Sequence, residues 1–319
     1  MKLEGIAINT KLTKLLGIKY PIIQGGMAWI ADAGLAGAVS AAGGLGLIAG
    51  GNAPAEVIRT EIRKVKEMTD KPFGVNIMLL SPFASDLAQL MIEEKVPVVT
   101  TGAGNPSAFM DGWKSAGIKV LPVVPSVAYA KRLEKMGADA LIAEGTEAGG
   151  HIGELTTMAL IPQICDAVGL PVVAAGGIAD GRGLAAVLML GACGAQIGTR
   201  FLVSDECSVH DNYKQKVIDA KDTDSVVTGR ATGHPVRGLK NKLVRQFKEL
   251  EEKAATLEEY EQLGSARLKM AAKDGDVVYG SVMAGQIAGL VKQRQCASDI
   301  LKEVVEEAQK LIDGGICVE

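Results

Sequence analysis

Aromatic side chains are scarce, at 4% of the 319 residues, and histidine is scarcer, with three. Few aromatics beside 39 glycines and an apolar fraction of 48% exclude a disordered chain and suit a large core joined by tight α/β turns. Charge of one sign is also missing: a net charge of −3 argues against general affinity for nucleic acid. The five cysteines, Cys165, Cys193, Cys207, Cys296 and Cys317, form no C-x-x-C pair, which argues against a zinc site and points to a reducing cytoplasm. Lys2, Glu4, Lys11 and Lys14 interrupt the first twenty residues, so no signal peptide is expected. The longest uncharged run, Ala33 to Gly51, is broken by five glycines before Gly50 and reads as a buried helix and strand, not a membrane span.

Short apolar or β-branched runs recur at a nearly even interval: Pro21–Ile23, Leu45–Ala49, Phe73–Ile77, Val96–Thr100, Val120–Val124, Ala140–Ala143, Pro171–Ala175 and Ala195–Ile197. Amphipathic or Ala-rich segments separate them. Strands alternating with helices imply a parallel sheet buried on both faces, and eight such strands suffice for a closed (β/α)8 barrel. A doubly wound open sheet needs its glycine fingerprint early and after a strand. Here Gly43-Gly44-x-Gly46 precedes one, which favours the barrel.

The stretch Leu170 to Phe201 organises the chain. Pro171–Ala175 runs into Gly176-Gly177, a helical segment follows, and Ala195–Ile197 runs into Gly198-Thr199. Loops after the last two strands of such a barrel commonly hold a phosphate, since glycine lets backbone N–H groups approach an anion. Gly176, Gly177, Gly198 and Thr199 are therefore read as a phosphate cradle, although one glycine pair alone is common at any α/β turn.

Other strand ends carry further candidates. Gln24-Gly25-Gly26-Met27 can lay backbone against a flat ligand or make a plain tight turn. Asn76, polar within Val-Asn-Ile-Met, either serves a ligand or ties down a neighbouring strand. The longest interval follows the sixth strand, from Glu144 to Gly153, with two carboxylates, four glycines and His151. Extra loop at a rim is usually functional, so His151 is the candidate for proton transfer. Glu144 can accept from a ligand N–H or hydroxyl, or brace the loop.

Beyond about Asp211 the alternation gives way to helical segments, expected over Asn212–Ala220, Leu239–Ala255, Leu257–Ala272 and Met283–Ile312. The expected division is a barrel over 1–205 and a helical cap over 206–319, with room for part of it to pack back on the barrel. A basic stretch without an acid, from Thr232 through Arg237, Lys240 and Lys242, is either a solvated face or a docking surface for an acidic partner.

Several motifs together resemble a known family: Pro21-Ile22-Ile23-Gln24-Gly25-Gly26-Met27, Gly74-Val75-Asn76-Ile77-Met78, Glu147-Ala148-Gly149-Gly150-His151, Ala174 to Asp180, Gln196 to Phe201, His234-Pro235-Val236-Arg237 and Ser281 to Gln286. The chain resembles, over practically its whole length, the flavin-dependent enoyl-acyl-carrier-protein reductases of the FabK type, within the nitronate monooxygenase family of flavin barrels. The resemblance implies FMN on the barrel rim. Its phosphate would lie at Gly177 and at Gln196, Ile197, Gly198 and Thr199, its ring near Gly25, Gly26, Met27, Ala28 and Asn76, with Glu144 and Gly149 completing the pocket. It also implies NADH or NADPH as reductant, stimulation by a monovalent cation, an enoyl thioester on acyl carrier protein as substrate, and a homodimer as the expected assembly. His151 then protonates the substrate or polarises its thioester carbonyl, and Arg237, Lys240 and Lys242 meet the acidic carrier. The rival enzyme is a nitronate monooxygenase with His151 as base and O₂ as oxidant. An IMP dehydrogenase relative needs a nucleophilic cysteine after the sixth strand, where none stands. A flavin-binding module without turnover is the non-enzyme alternative.

Overall fold

The computed structural model describes residues 8–314. Its strands are β1 (Ile22–Gln24), β2 (Gly46–Ala49), β3 (Phe73–Met78), β4 (Val98–Gly102), β5 (Lys119–Val124), β6 (Leu141–Glu144), β7 (Gly150–His151), β8 (Val172–Ala175), β9 (Ala195–Ile197), β10 (Ser225–Thr228) and β11 (Val236–Leu239). Eight are parallel, in the order β1-β9-β8-β6-β5-β4-β3-β2. A parallel bridge between Ile23 and Leu45 brings β1 back to β2, so the sheet curls into a barrel. Buried Gln24 reinforces that seam by accepting from the Leu47 N–H at 3.1 Å.

Alternation along each strand explains why the apolar runs are nearly continuous. Ile23, Leu47, Val98, Ile142 and Val173 point into the barrel and pack with Leu12 and Leu16 of the helix Lys11–Leu16, which plugs one end. Their neighbours Ile48 and Val99 on one side, and Ile22, Leu141 and Val172 on the other, face the surrounding helices. Contact there is close. A Cβ on Gly46 would lie 1.9 Å from the Ala36 carbonyl oxygen, so the helix Ala33–Ala41 rests on bare backbone.

Seven helices follow the first seven barrel strands, and the eighth arrives late. After β9 the chain makes one short helix, Thr199–Leu202, and leaves the barrel. It returns as Ala297–Gly314, which packs against both Gly181–Met189 and Ala33–Ala41. Glu307 from this helix accepts the Gly181 N–H at 2.7 Å. Residues 203–296 are thus an insertion between the last barrel strand and the last barrel helix.

That insertion caps the C-terminal rim, yet it is not wholly helical. Leu239, where a helix is expected to begin, instead ends β11 (Val236–Leu239), which pairs antiparallel with β10 and with β7, and the helix starts at Lys242. The helix expected over Leu257–Ala272 breaks at Ser265-Ala266, where Ala266 has φ +59°. The helix expected over Met283–Ile312 begins only at Ala297. The backbone groups of 282–286 are spent on tertiary partners instead: Val282 and Met283 carbonyls accept from the Leu239 N–H and the Tyr213 hydroxyl, and the Gly285 N–H donates to Thr199.

Candidate functional site

Two connected chambers lie where the barrel rim meets the insertion. The first, of about 580 Å³, is floored by the strand ends; the second, of about 370 Å³, lies within the insertion. Both lie in the usual size range of small-molecule sites. His151, Gly264, Leu268 and Met283 line both and form the passage between them.

Gly25, Gly26, Met27, Ala28, Asn76, Glu144, Gly149, Gly176, Gly177, Gln196, Gly198 and Thr199 all line the first chamber. Ile197 is set apart: its side chain is in the core and its carbonyl accepts the Gly25 N–H at 2.9 Å. The glycines are steric necessities at a few positions. Gly176 and Gly177 have φ of +88° and +76°, and a Cβ on Gly176 would crowd the Gly145 carbonyl oxygen at 2.9 Å. A Cβ on Gly26 would sit 2.4 Å from that of Asn76. The backbone N–H groups of Gly176, Gly177 and Gly198 have no protein acceptor among the described residues. Unpaired donors on glycines that bring bare backbone to a cavity form a place for an anion.

The polar side chains divide by what they already bind. Asn76 Oδ1 accepts from Thr100 at 2.8 Å, so the amide ties β3 to β4 while its residue still lines the chamber. Glu147, not singled out from sequence, accepts from the N–H and hydroxyl of Thr157 at 2.9 Å and so braces the loop. The Thr157 hydroxyl also lies 2.9 Å from the Gly176 carbonyl, so its one proton is shared between that oxygen and Glu147 and links the loop to the cradle. Glu144 has no side-chain partner among the described residues, and burial alone pushes its carboxyl up to about 7. A carboxyl raised in this way and lining the chamber can donate to or accept from a ligand.

His151 is held by its backbone. It pairs with Val236 in the β7–β11 ladder, and the next N–H, of Ile152, donates to the Pro235 carbonyl. Its imidazole is open to the chambers' water and makes no hydrogen bond to the protein among the described residues. Desolvation by the walls, and next the nearby His234, hold its pKa below the ordinary histidine range.

The basic stretch splits. Lys240 and Lys242 are exposed, but Arg237 is 5% exposed and donates through Nε to the Thr146 carbonyl at 2.9 Å. The expectation that Arg237 meets a partner is therefore corrected: on β11 its guanidinium turns inward and clamps the loop that carries His151. Sequence reading also missed Trp29, Leu268, Met283 and Ile287 in the first chamber, and Phe247 and Tyr260 in the second. The Ser281 to Gln286 motif pointed to Met283, but a presumed helix hid its part in the wall.

Residues 9–307 match the family model of nitronate monooxygenase. FabK from Thermotoga maritima has a solved structure that superposes with a TM-score of 0.94 at 46% identity, covering 96% of this chain and 98% of that one. A probable nitronate monooxygenase of Staphylococcus saprophyticus is 35% identical, covering 96% of this chain and 99% of that protein. A 5-hydroxy-7a-methyl-1-oxo-octahydro-1H-indene-4-carboxyl-CoA dehydrogenase of Mycobacterium tuberculosis is 34% identical, covering 94% and 96%. No helix among the described residues is long and apolar enough to cross a membrane. With a cradle of unpaired backbone donors at the ends of β8 and β9 and a family model spanning nearly the whole chain, this protein belongs to the nitronate monooxygenase family of flavin-dependent oxidoreductases.

Proposed function

We propose that this protein reduces the double bond of 2-enoyl thioesters carried on acyl carrier protein, with NADH or NADPH as reductant and FMN as the resident cofactor. The observation that carries this reading is the second chamber. It is walled mainly by apolar side chains such as Val236, Leu239, Leu243, Val244 and Phe247, and it opens onto the first chamber beside His151. An acyl chain needs such a space next to the reacting carbons; a small nitronate does not. The CoA thioester in the name of the Mycobacterium relative and the likeness to FabK point the same way.

The residues present fit FMN. The donors of Gly176, Gly177, Gly198 and Thr199 would hold its phosphate, and Gly26, kept bare by Asn76, would let the ring lie against Gly25–Ala28. When bound, FMN supplies two-electron chemistry, accepting hydride from a nicotinamide and passing it to the β-carbon of the alkene. His151 delivers the proton that the α-carbon needs, or donates to the thioester oxygen as negative charge builds there. The walls of both chambers orient the chain. Exposed Lys240 and Lys242 suit an acidic carrier protein. A monovalent cation and a homodimer belong to the same reading.

The family's own name favours a second reading, oxidation of nitronates by O₂ with His151 as base. One assay separates them: oxidation of NADH and NADPH with crotonyl thioester, against O₂ uptake with a nitroalkane. Nucleotide oxidation that depends on the thioester is expected. O₂ uptake with nitroalkane and no response to thioester would sink the reductase reading.

A further inference from the structure

Trp29 is the one surface indole. The other tryptophan, Trp113, is fully buried in a helix-facing core, whereas Trp29 is 46% exposed and lines the first chamber. Its backbone is unusual as well. Trp29 is the third residue of a turn closed by the Ile30 N–H to the Met27 carbonyl at 3.0 Å, and its φ is +66°. That left-handed position normally belongs to glycine, because a Cβ there is strained and a bulky side chain more so. Strain of this kind persists where the surroundings impose it, and it gathers at ligand sites. Nothing in packing demands the indole, since nearly half its surface is bare. Lys269, from the insertion's helix Arg267–Asp274, places its ammonium 5.4 Å from the ring centre.

An exposed indole at a cavity wall with an exposed cation beside it suits a ligand that couples a flat heteroaromatic base to a phosphate. We propose that Trp29 is the stacking platform for the nucleotide half of the reductant, a reduced pyridine dinucleotide, and that Lys269 pairs with its phosphate. This proposal rests on the reductase reading above. On binding, the base takes the ring face and the ammonium moves to the phosphate, leaving the nicotinamide free to reach the cavity floor. Stacking of a base on an aromatic ring changes affinity by about 5- to 150-fold.

The strain itself provides the test. Trp29→Gly relieves the left-handed backbone, so it holds or raises the thermal midpoint while removing the platform. ADP-ribose, which carries base and phosphates but no redox chemistry, is titrated into the holoenzyme, with tryptophan emission as readout for the parent and calorimetry for Trp29→Gly and Trp29→Phe. The expected result is quenching in the parent, tenfold or greater loss of ADP-ribose affinity in Trp29→Gly at an unchanged or raised midpoint, and near-parental binding in Trp29→Phe. Unchanged affinity in Trp29→Gly, a lowered midpoint accompanying the loss, or quenching by phosphopantetheine but not by ADP-ribose would each overturn the proposal. If the parent binds neither dinucleotide and neither reduces its flavin, the reductase reading itself fails and takes the proposal with it.

Discussion

The barrel and the insertion contribute to one site in opposite ways. The rim of the barrel offers mostly backbone and small residues: the glycines after β1, β8 and β9 and the amide of Asn76. The insertion offers side chains, among them Leu268, Met283, Phe247 and Tyr260. Barrel geometry comes from a repeated ladder, whereas the insertion is pinned by single long-range bonds such as Tyr213 to the Met283 carbonyl at 2.7 Å and Gly285 to Thr199 at 2.9 Å. A ladder fixes backbone closely, so it suits a cofactor that is gripped the same way every time. Individually pinned loops can be replaced without disturbing the ladder, so they suit substrate selection.

His151 stands on the border and gives the sharpest way to test this division. Its Ala variant should reduce enoyl thioester about 10²- to 10⁴-fold more slowly while FMN stays bound, because the barrel half is untouched. Parental turnover, or loss of flavin along with activity, would break the division. The pH profile refines its role. Since its pKa is lowered, a donating imidazolium makes the rate fall as pH rises through a value below the usual one, whereas a neutral donor to the carbonyl leaves the rate flat there.

Glu144 tests the barrel side. A carboxyl raised in the folded state to about 7 from 4.5 binds more protons than in the unfolded chain between those values. Stability is therefore fully present below about pH 4.5 and falls as pH rises through 7, by at most about 3 kcal/mol. Glu144→Gln should flatten that decline in denaturant titrations between pH 5 and 8; parallel curves for the two proteins would show that the carboxyl is solvated.

Two outcomes from one basic run sharpen the contrast further. Arg237→Met leaves the Thr146 carbonyl without its partner and should cost about 1–3 kcal/mol of stability, with slower turnover as the His151 loop loosens. Lys240→Glu with Lys242→Glu should leave the thermal midpoint unchanged. It should weaken use of carrier-linked substrate about tenfold more than use of the coenzyme A thioester. Equal losses on both substrates would remove the docking role.

How much was legible varies with the range of the interactions. Strand positions were readable because burial on both faces demands unbroken apolar runs such as Val172–Ala175, and the glycine-lined floor of the first chamber because Gly176-Gly177 and Gly198-Thr199 end consecutive strands. The insertion misled where tertiary bonds outbid local preference. Residues 283–285 look helical but surrender their backbone to Tyr213 and Thr199, and Val236–Leu239 becomes a strand because β10 and the His151 segment flank it. Arg237 looked like part of an exposed basic face, since composition does not reveal which side of a strand faces in. Trp29 carried no signal at all, because its importance lies in a backbone angle and an open ring face.

By itself the sequence determined the barrel, its direction and the glycine-rich strand ends that line the first chamber, because those follow from periodicity and from glycine at strand ends, which are local properties of the chain. Only the tertiary structure decided that the last helix closes the barrel across a long insertion, that this insertion builds an apolar chamber at His151, and that Arg237 serves inside. Each of those depends on contacts between residues dozens of positions apart, and no local pattern encodes which of the many available partners a segment will find.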